Sequence, residues 1–278
     1  MAGNACSAAT SGFFSFLLLL LPCLLSSQVH ADHASKLNTT QTRILKRIFH
    51  TIQLYTSPYE FLNTTAVNPC AWRGVGCYSS YTSDGVVVNE LDFSNLGIAF
   101  NNSTALSSFF SLICSLDTLW FLNLSRNHLT SIPGAFFSSC TGISTLNLSQ
   151  NSLSGKIPSQ FSNLIYLSYL HLNGNNLSGS IPSTLTIMNY LRDLQLGDNK
   201  LSGTIPIMPP SIRALNLSYN SFRGHILSSS FDNSFLEILD LSHSNFSGSV
   251  PNSLTCLNFL FFLDLSYNNL SGELPIFW

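Results

Sequence analysis

Residues 191–206 have the sequence LRDLQLGDNKLSGTIP, which begins with the pattern Leu-x-x-Leu-x-Leu-x-x-Asn-x-Leu. The pattern occurs seven times, and its Asn position falls at residues 127, 151, 175, 199, 220, 244 and 268. The copies are therefore 24 residues apart, with a single interval of 21 residues between 199 and 220. Such a regular period predicts stacked supersecondary units that share one continuous core. A degenerate earlier copy is predicted around Val88, Leu91 and Phe93.

The Leu-x-Leu centre of each copy alternates with a period of two, which is typical of a short strand with one buried face. One unit cannot bury its apolar face alone, so the strands are expected to form the parallel concave β-sheet of an α/β repeat solenoid. The Asn after each strand is expected to turn inward, where its amide satisfies loop backbone groups of its own and the neighbouring repeat. This Asn ladder comprises Asn127, Asn151, Asn175, Asn199, Asn220 and Asn268. Ser244 takes the Asn position in the sixth copy and predicts a looser turn there.

Each unit continues with a second regular segment, Ser-Gly-x-Ile-Pro, as at residues 178–182 and 202–206. The complete unit resembles the plant-type extracellular leucine-rich repeat, whose hallmark is Asn-x-Leu-Ser-Gly-x-Ile-Pro, and the match covers residues 116–278. The resemblance implies a horseshoe fold and a role like that of plant receptor-like proteins or the ectodomains of receptor-like kinases. Such proteins recognise peptide, oligosaccharide or partner-receptor ligands.

The N-terminal region is predicted to contain a signal peptide and a cap. Residues 1–31 contain no Asp, Glu, Lys or Arg, hold a short apolar run at 13–25, and end in small residues, which indicates a secretory signal peptide. Residues 32–87 are assigned to an N-terminal cap, because six apolar residues there fall on one helical face and Cys70 and Cys77 lie close together in a turn-rich stretch. The residues of that face are Ile44, Leu45, Ile48, Phe49, Ile52 and Tyr55. The segment around the two cysteines also resembles the cysteine-paired cap of plant receptor ectodomains.

The remaining cysteines of the exported chain, Cys114, Cys140 and Cys256, are far apart in sequence and are interpreted as small buried hydrophobic residues. Residues 88–278 are assigned to seven or eight repeats, of which the last is cut short and has no C-terminal cap. This ending predicts either a truncated receptor or a chain whose exposed edge is covered by another protein.

Composition excludes two broad classes of function. The chain is 45% apolar and only 9% charged, with a net charge of −2, so it is neither a disordered protein nor a basic nucleic-acid binder. It has no zinc-binding His-x-x-x-His helix, no Gly-x-Ser-x-Gly elbow and no phosphate-binding loop. The sequence therefore predicts a protein that is not an enzyme, with no cofactor and no metal.

Binding on the concave face is the favoured hypothesis. Residues between the buried Leu positions are expected to point outward in columns, and aromatic residues beside charged ones are typical binding anchors. The candidate ligand-binding residues are Tyr169, His171, Arg192, Asp193, Tyr219, Asp240, His243, Phe262, Asp264 and Tyr267. Alternatively, the aromatic group at the C-terminal end packs against a following repeat.

Glycosylation is predicted from Asn-x-Ser/Thr sequons. Candidate acceptors are Asn38, Asn63, Asn101, Asn102, Asn123, Asn147, Asn176, Asn216, Asn245 and Asn269. Glycans at Asn123, Asn147 and Asn216 would cover much of the concave face, because these residues lie within the predicted strands.

Two functions remain as alternatives at this stage. The first is an extracellular recognition module with a protein or peptide ligand and a co-receptor as partners, secreted into the cell-wall space or held at the plasma membrane in a longer receptor. The second is a secreted inhibitor of a pathogen wall-degrading enzyme, similar to the polygalacturonase-inhibiting proteins. The missing cysteine-bearing terminal cap argues against the inhibitor.

Overall fold

The structure is a computed structural model that describes residues 37, 39–56, 66–79, 85–231 and 235–276. The predicted signal peptide and the sequons at Asn38 and Asn63 lie outside the described residues. Two sheets run side by side along the chain, one of nine strands and one of six. The fold is the solenoid that the repeat period predicts.

The larger sheet forms the concave face and uses one strand from the cap and one strand from each repeat. Its strands are β1 (Val75–Ser79), β2 (Val86–Asp92), β3 (Phe121–Asn123), β4 (Thr145–Asn147), β6 (Tyr169–His171), β8 (Asp193–Gln195), β10 (Ala214–Asn216), β12 (Ile238–Asp240) and β14 (Phe262–Asp264). Only β1 and β2 pair antiparallel, and every later pair is parallel. The middle Leu of each strand from β3 to β12 is fully buried, which agrees with the predicted period-two alternation.

A second parallel sheet was not predicted. Its strands are β5 (Ser154–Lys156), β7 (Asn176–Gly179), β9 (Lys200–Gly203), β11 (Ser221–His225), β13 (Asn245–Gly248) and β15 (Asn269–Leu270). They are built from the segment that runs from the Asn ladder into Ser-Gly, which the sequence indicated only as an extended stretch. Gly179, Gly203 and Gly248 end β7, β9 and β13 with φ between 78° and 89°, a conformation that glycine adopts without steric cost because it has no side chain.

The degenerate first copy is part of the sheet, because β2 pairs in parallel with β3 and buries Val88 and Leu91 completely. The cap helix α1 (Thr39–Leu54) buries its apolar face in the same core as this strand. Phe49 meets Trp72 and Phe93, with ring centroids 4.9 and 5.4 Å apart.

The cap helix also carries a buried polar link. Gln41 accepts a hydrogen bond from the Val88 N–H at 2.9 Å and donates one to the Thr118 hydroxyl at 3.0 Å. The side chain therefore joins the cap to the first two repeats.

The convex side changes along the chain. The first repeats use α2 (Ser103–Cys114) and α3 (Phe136–Ser139), whereas later repeats use short 3₁₀ turns at Ser159–Asn163, Ser183–Ile187, Ser228–Ser230 and Asn252–Cys256. Another 3₁₀ turn, Pro69–Ala71, lies in the cap. Asn102, identified in the sequence only as a sequon, is the N-cap of α2 and accepts a hydrogen bond from the Ala105 N–H at 2.8 Å.

Two disulfides cross-link residues in the N-terminal half of the chain. Cys70 and Cys77 are bonded, with Cα atoms 5.7 Å apart. The prediction that Cys114 and Cys140 are unbridged was wrong, because they form a second disulfide with Cα atoms 4.8 Å apart. Their sequence separation of 26 is close to one repeat, so stacking brings the ends of α2 and α3 together. Cys256 is not a free thiol either.

In the part of the chain that the structure describes, no helix is both long and apolar enough to span a bilayer.

Candidate recognition surface on the concave sheet

Strand pairing aligns the outward-facing residues of the concave sheet into columns. The first column consists of Glu90, Phe121, Thr145, Tyr169, Asp193, Ala214, Ile238 and Phe262. The second column consists of Asp92, Asn123, Asn147, His171, Gln195, Asn216, Asp240 and Asp264. Glu90 and Asp92 were not among the predicted site residues, because the first repeat departs from the consensus.

A third column follows the strands and has an unusual backbone. Its members are Asn95, Arg126, Gln150, Gly174, Asp198, Tyr219, His243 and Tyr267, and all have φ between 50° and 67°. Non-glycine residues seldom adopt this left-handed conformation, and a bulky side chain such as Tyr is an outlier there. The turn that places the Asn ladder inward therefore imposes the same backbone on whichever side chain occupies this column.

The last three members of this column form an aromatic stack. The ring centroids of Tyr219 and His243 are 4.0 Å apart at 12°, and those of His243 and Tyr267 are 4.0 Å apart at 13°. Tyr219 is 56% exposed and Tyr267 is 75% exposed. The imidazole is thus held between two phenol rings whose outer surfaces remain accessible to solvent.

Carboxylates of the second column lie in the same repeats as the stack. Asp240 accepts hydrogen bonds from the Ser242 N–H at 3.0 Å and the Ser242 hydroxyl at 2.7 Å. Asp264 accepts one from the Ser266 N–H at 2.9 Å. The pKa of Asp264 is lowered by the hydrogen bonds from the Ser266 side chain and backbone and by nearby His243, against a smaller opposing effect of burial. In Asp240 both bonds go to one carboxylate oxygen, Oδ1, which also accepts the Ser266 N–H bond in Asp264.

The middle of the surface holds a polar cluster. Asp193 lies 3.3 Å from Nε2 of His171, although the pair does not reach hydrogen-bond geometry, and it accepts a hydrogen bond from Gln195 at 2.6 Å. Tyr169 and Phe262 occupy the first column and are 41% and 46% exposed.

One predicted residue lies apart from the columns. Arg192 is exposed one position before β8, at the flank of the sheet, and its carbonyl accepts hydrogen bonds from the Arg213 and Ala214 N–H groups. The structure therefore brings together nine of the ten predicted residues on the columns and places Arg192 beside them.

The Asn ladder joins successive repeats. Asn175 donates to the Leu148 carbonyl of the preceding repeat at 3.0 Å, and accepts from the Leu153 N–H at 3.0 Å. Asn127 is fully buried, whereas the later members are half-buried. The hydroxyl of Ser244 is buried without a hydrogen-bond partner among the described residues.

The sequons divide into two groups. Asn123, Asn147 and Asn216 are half-buried, and each accepts a hydrogen bond from the N–H of the sequon Ser two residues later. The exposed group comprises Asn101, Asn102, Asn176, Asn245 and Asn269. The same Asx turn is made by Asp92, Asp240 and Asp264, so the column selects a short side chain with an acceptor oxygen.

Across the described ranges, no three His, Cys, Asp or Glu side chains are grouped closely enough to hold a metal ion.

Comparison with known proteins identifies the repeats. A leucine-rich repeat family model matches residues 118–177, and a second one matches 235–257 and 259–278. No curated protein sequence matches the chain significantly.

Among solved structures, the chain is similar to the Arabidopsis receptor kinase HAESA in complex with the peptide hormone IDA and the co-receptor SERK1. The two are 30% identical with a TM-score of 0.68, over 86% of this chain and 43% of HAESA. It is also similar to the plant peptide hormone receptor RGFR1 in complex with RGF2, at 31% identity and a TM-score of 0.56, over 59% of this chain and 27% of the receptor. The chain thus spans less than half of the length of these receptor structures.

A plant ice-binding protein shares the fold alone, at 24% identity and a TM-score of 0.57, over 87% of this chain and 90% of that protein. The repeat period, the concave parallel sheet and the matches to receptor structures show that the chain is a leucine-rich repeat protein of the plant extracellular type.

Proposed function

We propose that this chain is an extracellular recognition module that binds a peptide on the C-terminal half of its concave sheet. The observation that carries the proposal is the exposed Tyr219–His243–Tyr267 stack, held in left-handed turns at the edge of the sheet. Rings fixed before binding lose little conformational freedom when a ligand arrives, which favours affinity. The peptide hormone complexes of HAESA and RGFR1 support the same class of ligand.

The charges of this half favour a peptide with at least one basic residue. The columns there carry Asp193, Asp198, Asp240 and Asp264, whereas their only basic side chains are histidines. In Asp240 the oxygen Oδ1 accepts both serine hydrogen bonds, so Oδ2 is the oxygen that would meet a ligand. A Lys or Arg of the peptide would pair with these carboxylates, and its binding should weaken as salt increases.

The dimensions suit a short extended segment. From Tyr169 on β6 to Phe262 on β14 there are four strand spacings of about 4.8 Å, or roughly 19 Å. An extended chain covers about 3.3–3.6 Å per residue, so roughly six peptide residues would span the surface.

The test is a selection of random peptides displayed on phage against the secreted chain. Peptides that bind should be enriched in basic and aromatic or aliphatic residues. The combined variant Tyr219→Ala, Tyr267→Ala should weaken them by about 30-fold or more, the effect of losing a binding anchor worth about 2 kcal/mol.

The matched control is Tyr166→Ala, which removes a similarly exposed ring away from the concave columns and should leave peptide affinity unchanged. Melting curves check that each variant is folded. Peptides that bind the combined variant as tightly as the wild type, or that lose binding only in Tyr166→Ala, would refute the concave site.

Inhibition of a wall-degrading enzyme stays a prediction from sequence, and no contact in the described residues favours it over peptide recognition.

A further inference from the structure

A second exposed surface lies along one flank of the solenoid, just before the strands of the concave sheet. Four aromatic residues at the same repeat position define this aromatic flank: Tyr166, Tyr190, Phe235 and Phe259. They are 53%, 54%, 51% and 56% exposed. None of the sequons in the described residues falls on the flank, so glycans would leave it uncovered.

The aromatic flank is arranged as two pairs around a central gap. Tyr166 and Tyr190 have ring centroids 6.2 Å apart at 48°, and Phe235 and Phe259 have centroids 5.4 Å apart at 46°. The repeat between the pairs has Ser211 at this position, and its hydroxyl turns inward to the Leu191 carbonyl at 2.7 Å. Reading along the solenoid, the order is therefore ring, ring, small residue, ring, ring in either direction.

This palindrome fits a second copy of the same chain. In a two-fold dimer whose axis passes through the Ser211 repeat, each residue meets the one equally far away on the other side of the axis. Tyr190 would then pack on Phe235 of the partner subunit, and Tyr166 would pack on Phe259 of the partner subunit. The small Ser211 at the centre would allow the two backbones to approach closely.

The charges beside the rings obey the same symmetry. The three central repeats have Tyr190, Ser211 and Phe235 at the flank position. Two residues later they carry Arg192, Arg213 and Glu237, respectively. The two-fold axis would place Arg192 opposite Glu237 of the partner subunit. Arg213 lies at the axis, where it pairs with Glu237 of its own chain and covers the Phe235 ring at 5.9 Å. Its charge is thus compensated within one subunit.

The exposed area of the aromatic flank is of the same order as the area that a dimer interface buries on each partner. Aromatic side chains have surfaces of about 150–250 Å², so four half-exposed rings offer on the order of 400 Å². A standard interface buries about 800 Å² on each partner, and aromatic residues with Arg are typical of its core. The rings would supply about half of such an interface, and the polar neighbours would form its rim.

We propose that the chain forms a symmetric homodimer through the aromatic flank. The test is sedimentation of the secreted, glycosylated chain over a wide range of concentration, where the wild type should shift from monomer to dimer. Phe235→Asp should prevent the shift. The matched control Leu227→Asp, at an apolar residue that is 51% exposed away from this flank, should leave it unchanged.

Charge reversal tests the symmetry itself. Arg192→Glu and Glu237→Arg should each weaken the homodimer tenfold or more, because like charges would face each other twice. A mixture of the two differently tagged variants should regain dimerisation, since the heterodimer has opposite charges at both positions.

Melting curves check that all variants are folded. A wild type that remains monomeric, a dimer that survives Phe235→Asp, or a mixture that fails to associate would overturn the proposal. None of these measurements uses a peptide, so failure here leaves the recognition hypothesis intact.

Discussion

At the scale of single residues, one turn accounts for both the stability of the repeats and the display of the third column. The left-handed residue turns the chain. The Asn that follows it donates one hydrogen bond to the preceding repeat and accepts another from that same repeat. The sequence predicted the Asn role, because an amide carries a donor and an acceptor on separate atoms and reaches farther than a hydroxyl. The left-handed backbone could not be predicted, because non-glycine residues seldom adopt it and a bulky residue such as Tyr is an outlier there.

Replacement of Asn175 by Leu should lower the free energy of unfolding by about 2–3 kcal/mol, because it leaves inward-facing carbonyl and N–H groups unpaired. Chemical denaturation measures the change. Asn173→Leu, in the same turn but outside the ladder, is the control and should cost less than about 1 kcal/mol. Equal losses would contradict the bridging role.

A substitution at Ser244 is expected to have the opposite effect and to stabilise the fold. Ser244→Asn should raise the free energy of unfolding by about 1–2 kcal/mol, because an amide can make the inter-repeat bonds that the buried hydroxyl does not. The neighbouring Asn268 already makes them with Leu241 and Phe246. A variant with unchanged or lower stability would show that the sixth turn cannot hold an amide.

The carboxyl of Asp264 should titrate below the ordinary Asp range, since the Ser266 hydrogen bonds favour its ionised form. A group whose pKa is lowered on folding stabilises the fold above its unfolded value, and this contribution disappears as pH falls through the folded value. Carbon-detected NMR titration should give an upward pKa shift in Ser266→Ala and a smaller upward shift in His243→Gln. A lower pKa in Ser266→Ala would contradict this assignment.

At the scale of secondary-structure elements, prediction succeeded where the residue pattern is typical of a strand or a helix, and failed where that pattern is weak or occurs only once. The concave strands follow from the Leu spacing, and the cap helix follows from its apolar face. The second sheet was missed because its strands are short and carry glycine, which weakens a strand pattern. Helix α2 was missed because it occurs in only one repeat, and the Cys114–Cys140 pairing because it depends on how neighbouring repeats stack.

That disulfide should be a main constraint on the first repeats. The double variant Cys114→Ala, Cys140→Ala should lose about 2–4 kcal/mol, since the bond closes a loop of 26 residues in the unfolded chain. Thermal or chemical unfolding of the secreted variant measures the loss. Equal stability of the variant and the wild type would indicate that the bond adds no constraint beyond the packing of α2 on α3.

At the scale of the whole molecule, each repeat contacts only its neighbours, so stability is local. The core leucines of the third to sixth repeats are almost fully buried, whereas Leu260, Leu263, Leu265 and Leu270 of the seventh are only partly buried. Protection is therefore expected to decrease toward the C-terminal repeats.

Hydrogen exchange followed by mass spectrometry should show fast exchange in peptides from residues 245–276 and slow exchange in those from 119–200. Bound peptide should slow exchange first around Tyr219 and Tyr267, where the proposed site lies. Uniform protection along the chain would indicate a single cooperative unit rather than a stack of repeats.

The near-identical joints between repeats also bear on how the gene can vary. In-frame loss or duplication of one 24-residue unit within residues 152–199 would join surfaces of the same shape and the same hydrogen-bonding pattern. Recombination could thus add or remove whole repeats, each with its own strand of the concave sheet, while the packing of the core stays the same. The units that share the Cys114–Cys140 bond are the exception, because deletion of either one would leave the other cysteine without its disulfide partner. Length variation among descendants of this gene should therefore concentrate on the C-terminal side of Cys140.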